Sequence, residues 1–455
     1  MSRGAPARPI CAWSCPIRLP SAATIRPSFS ANMKGGGRSM DKFHGLPDHK
    51  RVVVTGLGLV TPLGTGKEEF SRRLFDGDCA IEPVQAFDTR EYTSHLGAQV
   101  RDFTPRDFIS VKNLRRMDKT SLMAAAAARL ALGDAGLAVT PENRDRIGIL
   151  LGTAFGATDV TVSFAGTLIG EGPGAVNPIL VPNTVMNAPA GHASIELGFR
   201  GVNTTVTHFA VSAETAIAYA VSEIRRGVAD AMLAGGVDIL SKFYYESLTR
   251  FHGLSPADGG PEGARPLDEH RNGYVAGEGC GITCLESLAG ARARGARIYC
   301  EITGAGLGSS PSSPTAWPSQ TDGIKRTLKR ALQNADVRPE DIATIMAAAN
   351  GGRILDQAEA AAYGEFFASS GPGPLITSIK GAIGESFSGG GIRACALALS
   401  MEKGWLPPTV GLARPLGELN AVVGEKKRMN GNHAVLAGIS FGGTYAYLVF
   451  AQCKG

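Results

Sequence analysis

This 455-residue chain lacks several features, and each absence excludes a class of protein. It has no run of 18 apolar residues, so no membrane span is expected. It has no CxxC pair among its eight cysteines, Cys11, Cys15, Cys79, Cys280, Cys284, Cys300, Cys395 and Cys453. A chain of this length with 44% hydrophobic residues can bury a large core without a disulfide scaffold, so a reducing, cytoplasmic setting is expected. Cys280 and Cys284 lie in a Gly-rich apolar run and read as small buried thiols. Residues 1–40 contain no acid but hold Arg3, Arg8, Arg18, Arg26, Lys34 and Arg38. Without those six of its 46 bases the chain is near neutral against 41 acids. The net charge of +5 therefore belongs to the tail and gives no nucleic-acid-binding face. The tail also lacks the unbroken apolar core of a secretory signal. It reads either as a transit peptide or as an overlong start, with Met33 or Met40 as the true one.

Strands and helices alternate through the rest, which argues an α/β fold. Residues 51–60 alternate too little for a half-wet strand and read as a fully buried one. Leu122–Leu132 reads as a helix ending near Gly133, and Asn143–Leu151 brings the next buried strand. Gly253–Gly263 and Ser309–Ser319 are Gly/Pro/Ser-rich connections. The order repeats. Val52-Val-Val-Thr-Gly-Leu-Gly58 recurs in outline as Cys300-Glu-Ile-Thr-Gly-Ala-Gly306. The division expected is a tail over 1–50 and two similar halves over 51–296 and 297–455.

The chain is organised around residues 201–238. Val202–Thr207 reads as a strand. A sharp turn follows, then a helix with Ile217, Ala220, Val221 and Ile224 on one face. Arg225, Arg226 and Gly227 suit its end, and Ala231–Ala234 starts another strand. A residue at such a turn sits at a helix N-terminus, where free N–H groups lower a thiol pKa or hold an oxyanion. Many acyl-transfer enzymes place a nucleophile there. Here the turn reads His208-Phe209-Ala210-Val211-Ser212, without a cysteine. A second copy of the pattern follows Pro374–Lys380, with a small-residue helix through Ala394–Leu399.

This stretch resembles the nucleophile elbow of the β-ketoacyl-ACP synthases. The resemblance runs over roughly 51–450. It includes Arg51-Val-Val-Val-Thr-Gly-Leu-Gly58, Arg146-Ile-Gly-Ile-Leu-Leu-Gly152, Arg265-Pro-Leu-Asp268, Arg271–Gly279 and Phe441-Gly-Gly-Thr444. It implies a thiolase-like five-layer αβαβα fold of two pseudo-duplicated halves, no cofactor and no metal. It also implies a cysteine, two histidines and a lysine as the catalytic set. Aligned on these landmarks, the cysteine position falls on Ala210 and the first histidine on Ala348. The second histidine falls on Glu385, and Lys380 is retained. His208, Phe209, Ser212 and Phe441 are neighbours of the vacated site. Ser212 reads as a group that caps or satisfies backbone donors and His208 as a structural group, while Glu385 could accept a hydrogen bond from Lys380 or His208, with a structural ion pair as the default.

These departures resemble the chain-length factors, the non-condensing ketosynthase partners of type II polyketide and aryl-polyene-type pathways. The expected partners are therefore an intact ketosynthase, forming a heterodimer, and an acyl carrier protein. If Asp159–Ile169 is a helix, Thr161, Phe164, Ala165 and Leu168 form one face. Either that face caps the partner's tunnel, with Phe164 and Leu168 setting its depth, or it is ordinary core. Two other readings stand beside this one: an acyltransferase whose active site has been replaced, and a homodimeric, non-catalytic module that binds acyl carrier protein.

Overall fold

The computed structural model describes residues 46–371 and 373–453. The chain divides into two units, Met1–Ser39 and Met40–Gly455. The first unit, with Cys11, Cys15, Met33 and the question of the true start, lies outside the described residues, as does Met40.

Ten strands carry the fold: β1 (Val52–Thr61), β2 (Ile147–Gly152), β3 (Asn203–Val206), β4 (Ala231–Asp238), β5 (Gly279–Ser287), β6 (Cys300–Ser309), β7 (Ile342–Met346), β8 (Leu375–Thr377), β9 (His433–Ser440) and β10 (Thr444–Ala451). The helices that matter here are α1 (Lys119–Ala135), α2 (Thr158–Glu171), α3 (Ala188–Leu197), α4 (Ser212–Arg225), α5 (Lys242–Arg250), α6 (Asp322–Ala335), α7 (Arg353–Phe367) and α8 (Gly390–Lys403). Neighbouring strands run β8-β7-β9-β10-β6-β1-β5-β4-β2-β3. Read outward from the β1–β6 junction, both arms have the same topology. The arms join at two residue pairs, Val53–Glu301 and Val54–Cys300, so hydrogen bonds link the expected two sheets into one path.

Five layers follow from where the apolar side chains go. Helices α1 and α3 cover the outer face of the first arm, against Ile147, Ile149 and Leu233. Helices α4 and α8 lie between the arms, with Ile217, Val221 and Leu397 packed on Val52, Met346 and Leu436. Helices α6 and α7 cover the outer face of the second arm. The duplicated glycines explain the close fit. A Cβ on Gly58 would lie 1.8 Å from the Ala127 carbonyl oxygen of α1, and one on Gly306 would lie 2.4 Å from the Thr327 carbonyl oxygen of α6. Each outer helix thus rests its backbone on a strand that has no side chain there.

β1 is buried along all ten residues, as its lack of alternation predicts. Two expectations about length change. α1 runs past Gly133, where added side-chain atoms would meet open space, and stops at Gly136 in the left-handed region at φ 61°. β4 continues through Gly235-Gly236 to Asp238, because small residues there admit the close approach of Gly281 and Ser388.

The two ends of the strand path differ. The edge of β8 is covered, since Ile376 exchanges backbone hydrogen bonds with Asn420 and Val422. No described strand pairs with the outer edge of β3, where Asn203 and Thr204 are exposed. No described helix is long and apolar enough to cross a membrane.

Candidate functional site

β3 delivers the chain to a single tight turn, Phe209–Val211, and α4 begins at Ser212. Phe209 adopts φ 51°, a left-handed conformation that is strained for a bulky residue. Ser212 Oγ accepts from the His208 N–H at 2.9 Å and lies 2.7 Å from the Phe209 carbonyl oxygen. Its hydroxyl thus satisfies backbone groups of the turn; it does not cap α4, whose N-cap, Val211, has no side-chain cap bond. Ala210 is buried at the tip. Its N–H, the donor such an elbow offers to an oxyanion, donates to Ser440 Oγ at 3.1 Å.

Lys380 comes from the second half and is brought against two other positions singled out in the sequence. Its Nζ donates to the Ala348 carbonyl oxygen at 2.8 Å and to Glu385 Oε2 at 2.7 Å. Asn350 Nδ2 donates to the same carboxylate oxygen at 2.8 Å, and the Phe387 N–H donates to Oε1 at 2.9 Å. Burial pulls the Lys380 pKa below its ordinary value, while the Glu385 charge opposes that fall. Glu385 thus pairs with Lys380. It does not pair with His208, whose exposed ring makes no described hydrogen bond and lines a different cavity.

Aromatic side chains from both halves fill the space around Ala210. Phe387 is fully buried, also in the left-handed region at φ 47°, with its ring 4.7 Å from that of Phe209. Phe155, Tyr244 and Tyr274 lie within 5.7–5.8 Å of Phe387. Phe441 packs 5.3 Å from Phe209 and is covered by Trp317 at 4.0 Å. Cavities of about 470–490 Å³ open elsewhere, and none of the three is lined by Ala210, Ala348, Lys380 or Glu385.

Two groups that the sequence reading missed hold this arrangement. Asp238, at the end of β4, accepts hydrogen bonds from Thr153 Oγ1, the Phe155 N–H and the Ser388 N–H at 2.9–3.1 Å. Burial pushes its carboxyl up to about 6 against the pull of those donors. The second is the buried pair of Arg393 and Glu214, which joins α8 to α4. An acid closing an apolar strand and an acid in a small-residue helix were the available signals. The motif at 265–279 is scaffolding here. Asp268 accepts three backbone N–H bonds, from His270, Ala413 and Arg414. Glu278 ties Val100, Lys119 and Leu240 together.

The face proposed on α2 is not core. No residue of α2 is buried; Phe164 and Ala165 are half-covered, while Thr161 and Leu168 are exposed.

Residues 49–291 match the β-ketoacyl synthase N-terminal domain, and residues 299–413 match the C-terminal domain of the same enzymes. The chain belongs to the β-ketoacyl synthase family. Within that family it is 31% identical over 411 residues to the 3-oxoacyl-[acyl-carrier-protein] synthase 2 of Staphylococcus aureus (strain COL), covering 90% of this chain and 99% of that one. Its structure is similar to the ishigamide ketosynthase/chain length factor, with a TM-score of 0.83 and 30% identity, covering 89% of this chain and 99% of that chain. It is also similar to a type II PKS acyl-carrier protein in complex with its ketosynthase bound to the hexaketide, with a TM-score of 0.80 and 25% identity over 89% and 99% of the two chains. The β-ketoacyl synthase fold thus accounts for nearly all of the described chain.

Proposed function

We propose that this chain is a non-condensing member of the β-ketoacyl synthase family. It pairs with an intact ketosynthase and acts as the chain-length factor of that pair, in fatty acid, polyketide or aryl-polyene-type synthesis on an acyl carrier protein. The observation that carries the reading is the packing at the elbow. Condensation needs a thiolate to hold the acyl chain, and neutral imidazoles to polarise the malonyl thioester and stabilise the enolate. At the corresponding positions stand a methyl group at Ala210, a methyl group at Ala348 and a carboxylate at Glu385. Phe209 and Phe387 occupy the space beside them.

The surface supports the pairing. Helices α2 and α3 and the segment between them present Val162, Ile169, Ile179, Val181, Val185 and Ile195 to solvent, with Ile169 84% exposed. Monomeric proteins rarely leave such a patch uncovered. The open edge of β3 lies on the same arm, and a chain of this fold with its own β3 edge can extend the sheet across it. The ketosynthase/chain length factor among the structural relatives favours an unlike partner over a second copy.

A separate region suits the acyl carrier protein. The exposed Arg106 and Arg115 line one cavity with Val111, which is 79% exposed, and the exposed Lys112 and Arg116 lie close to it in sequence. Basic side chains around an exposed apolar residue steer and then hold an acidic partner.

Two tests follow. The double substitution Ile169→Glu/Val185→Glu removes pairing with the ketosynthase in sedimentation velocity, with far-UV circular dichroism unchanged. A variant that still pairs places the interface elsewhere. Phe164→Ala in the reconstituted pair lengthens the products read by mass spectrometry; unchanged chain lengths remove α2 from the tunnel.

A further inference from the structure

On the far side of the elbow lies a cavity of about 490 Å³, in the size range of small-molecule sites. It opens between α4, the end of β6 and helix α6. Its lining includes His208, Thr215, Tyr219, Ser309, Arg326 and Arg330 and contains no carboxylate.

The arginines have a structural task that does not need their charge. Beyond Glu301 no described strand pairs with β6 on the side away from β10, and α6 caps its carbonyls there in register. Arg326 donates to the Ser309 carbonyl oxygen at 2.7 Å, Arg330 to that of Leu307 at 3.0 Å and Asn334 to that of Ala305 at 2.7 Å. Every fourth residue of the helix thus meets every second carbonyl of the strand. Asn334 performs this with a neutral amide. Each arginine uses one N–H of five, and neither makes an ion pair with a described residue. Two guanidinium charges therefore face one cavity uncompensated. The His208 imidazole beside them makes no described hydrogen bond, and the Tyr219 ring, 42% exposed, forms a wall.

We propose that this cavity binds a small organic phosphate ester, its phosphate on Arg326 and Arg330 and its organic part against Tyr219. Guanidinium groups bind phosphate oxygens through paired, charge-assisted hydrogen bonds. The site is separate from Ala210 and does not depend on the chain-length-factor reading.

Isothermal titration of the full chain with adenosine diphosphate and with inorganic phosphate tests it. The diphosphate binds saturably, about tenfold or more tighter than phosphate, because the organic part adds contact with Tyr219. Arg326→Gln/Arg330→Gln keeps an N–H donor for each carbonyl. It weakens the diphosphate by about tenfold or more, with an unchanged urea-unfolding midpoint. Tyr219→Ala brings the diphosphate close to phosphate. Absence of binding by either probe overturns the proposal, as does unchanged affinity in the double variant. Phosphate binding as tightly as the diphosphate overturns the ester assignment.

Discussion

Ala210→Cys does not turn this chain into a condensing enzyme. The substitution places a thiol at the N-terminus of α4, where the helix dipole favours a thiolate. The other requirements remain unmet. The Ala210 N–H already donates to Ser440 Oγ, so the oxyanion donor is in use. The Phe209 and Phe387 rings pack 4.7 Å apart beside Ala210. Each acid–base group of a condensing site accounts for about 10²–10⁴ in rate, and the proposed reading puts Ala348 and Glu385 where that site would hold imidazoles. Malonyl-carrier-protein condensation by the variant is therefore expected at least about 10³-fold below that of an intact ketosynthase. Alkylation of the new thiol by iodoacetamide is correspondingly slow. Turnover within about tenfold of an intact ketosynthase means that the packed site opens and that Glu385 and Ala348 are not its limit.

Separating Lys380 from Glu385 has the largest expected effect on stability. The pair is buried, with side-chain exposures of 5% and 1%. Removing one member strands a charge away from water, which costs about 3–5 kcal/mol. Glu385→Leu leaves the ammonium with only the Ala348 carbonyl oxygen. Lys380→Met leaves the carboxylate with Asn350 and the Phe387 N–H, so the first substitution is the worse. The double variant Lys380→Met/Glu385→Leu recovers most of the loss, since no charge then remains to be desolvated. Equilibrium urea unfolding reads all three. A single variant within about 0.5 kcal/mol of the parent, as an exposed pair gives, removes the structural role assigned to the retained lysine.

What the sequence made legible follows from local pattern. The non-alternating run at Val52–Thr61, the α4 face of Ile217, Ala220, Val221 and Ile224, and the paired Gly-x-Gly strands each state their own pattern. Burial follows it. Lys380, Ala348 and Glu385 could be placed together because landmarks fix their spacing, and their contacts are local to one half. The aromatic filling was not legible. Phe209 and Phe387 lie 178 positions apart in different halves, and nothing in either segment announces that their rings meet. The strain at both residues is likewise a tertiary outcome, since no local rule puts a phenylalanine in the left-handed region. Gly133 misled because glycine marks a helix end only where the chain turns left-handed, and Gly136 does that instead. The α2 face was read from spacing alone, which reports that a face exists and not what covers it.

The most direct test of the central claim is co-expression with an intact ketosynthase, followed by mass measurement of the assembly and a malonyl-carrier-protein extension assay. The account predicts a one-to-one pair that extends chains, with this chain inert by itself. A homodimer of this chain that turns over thioesters unaided would contradict it.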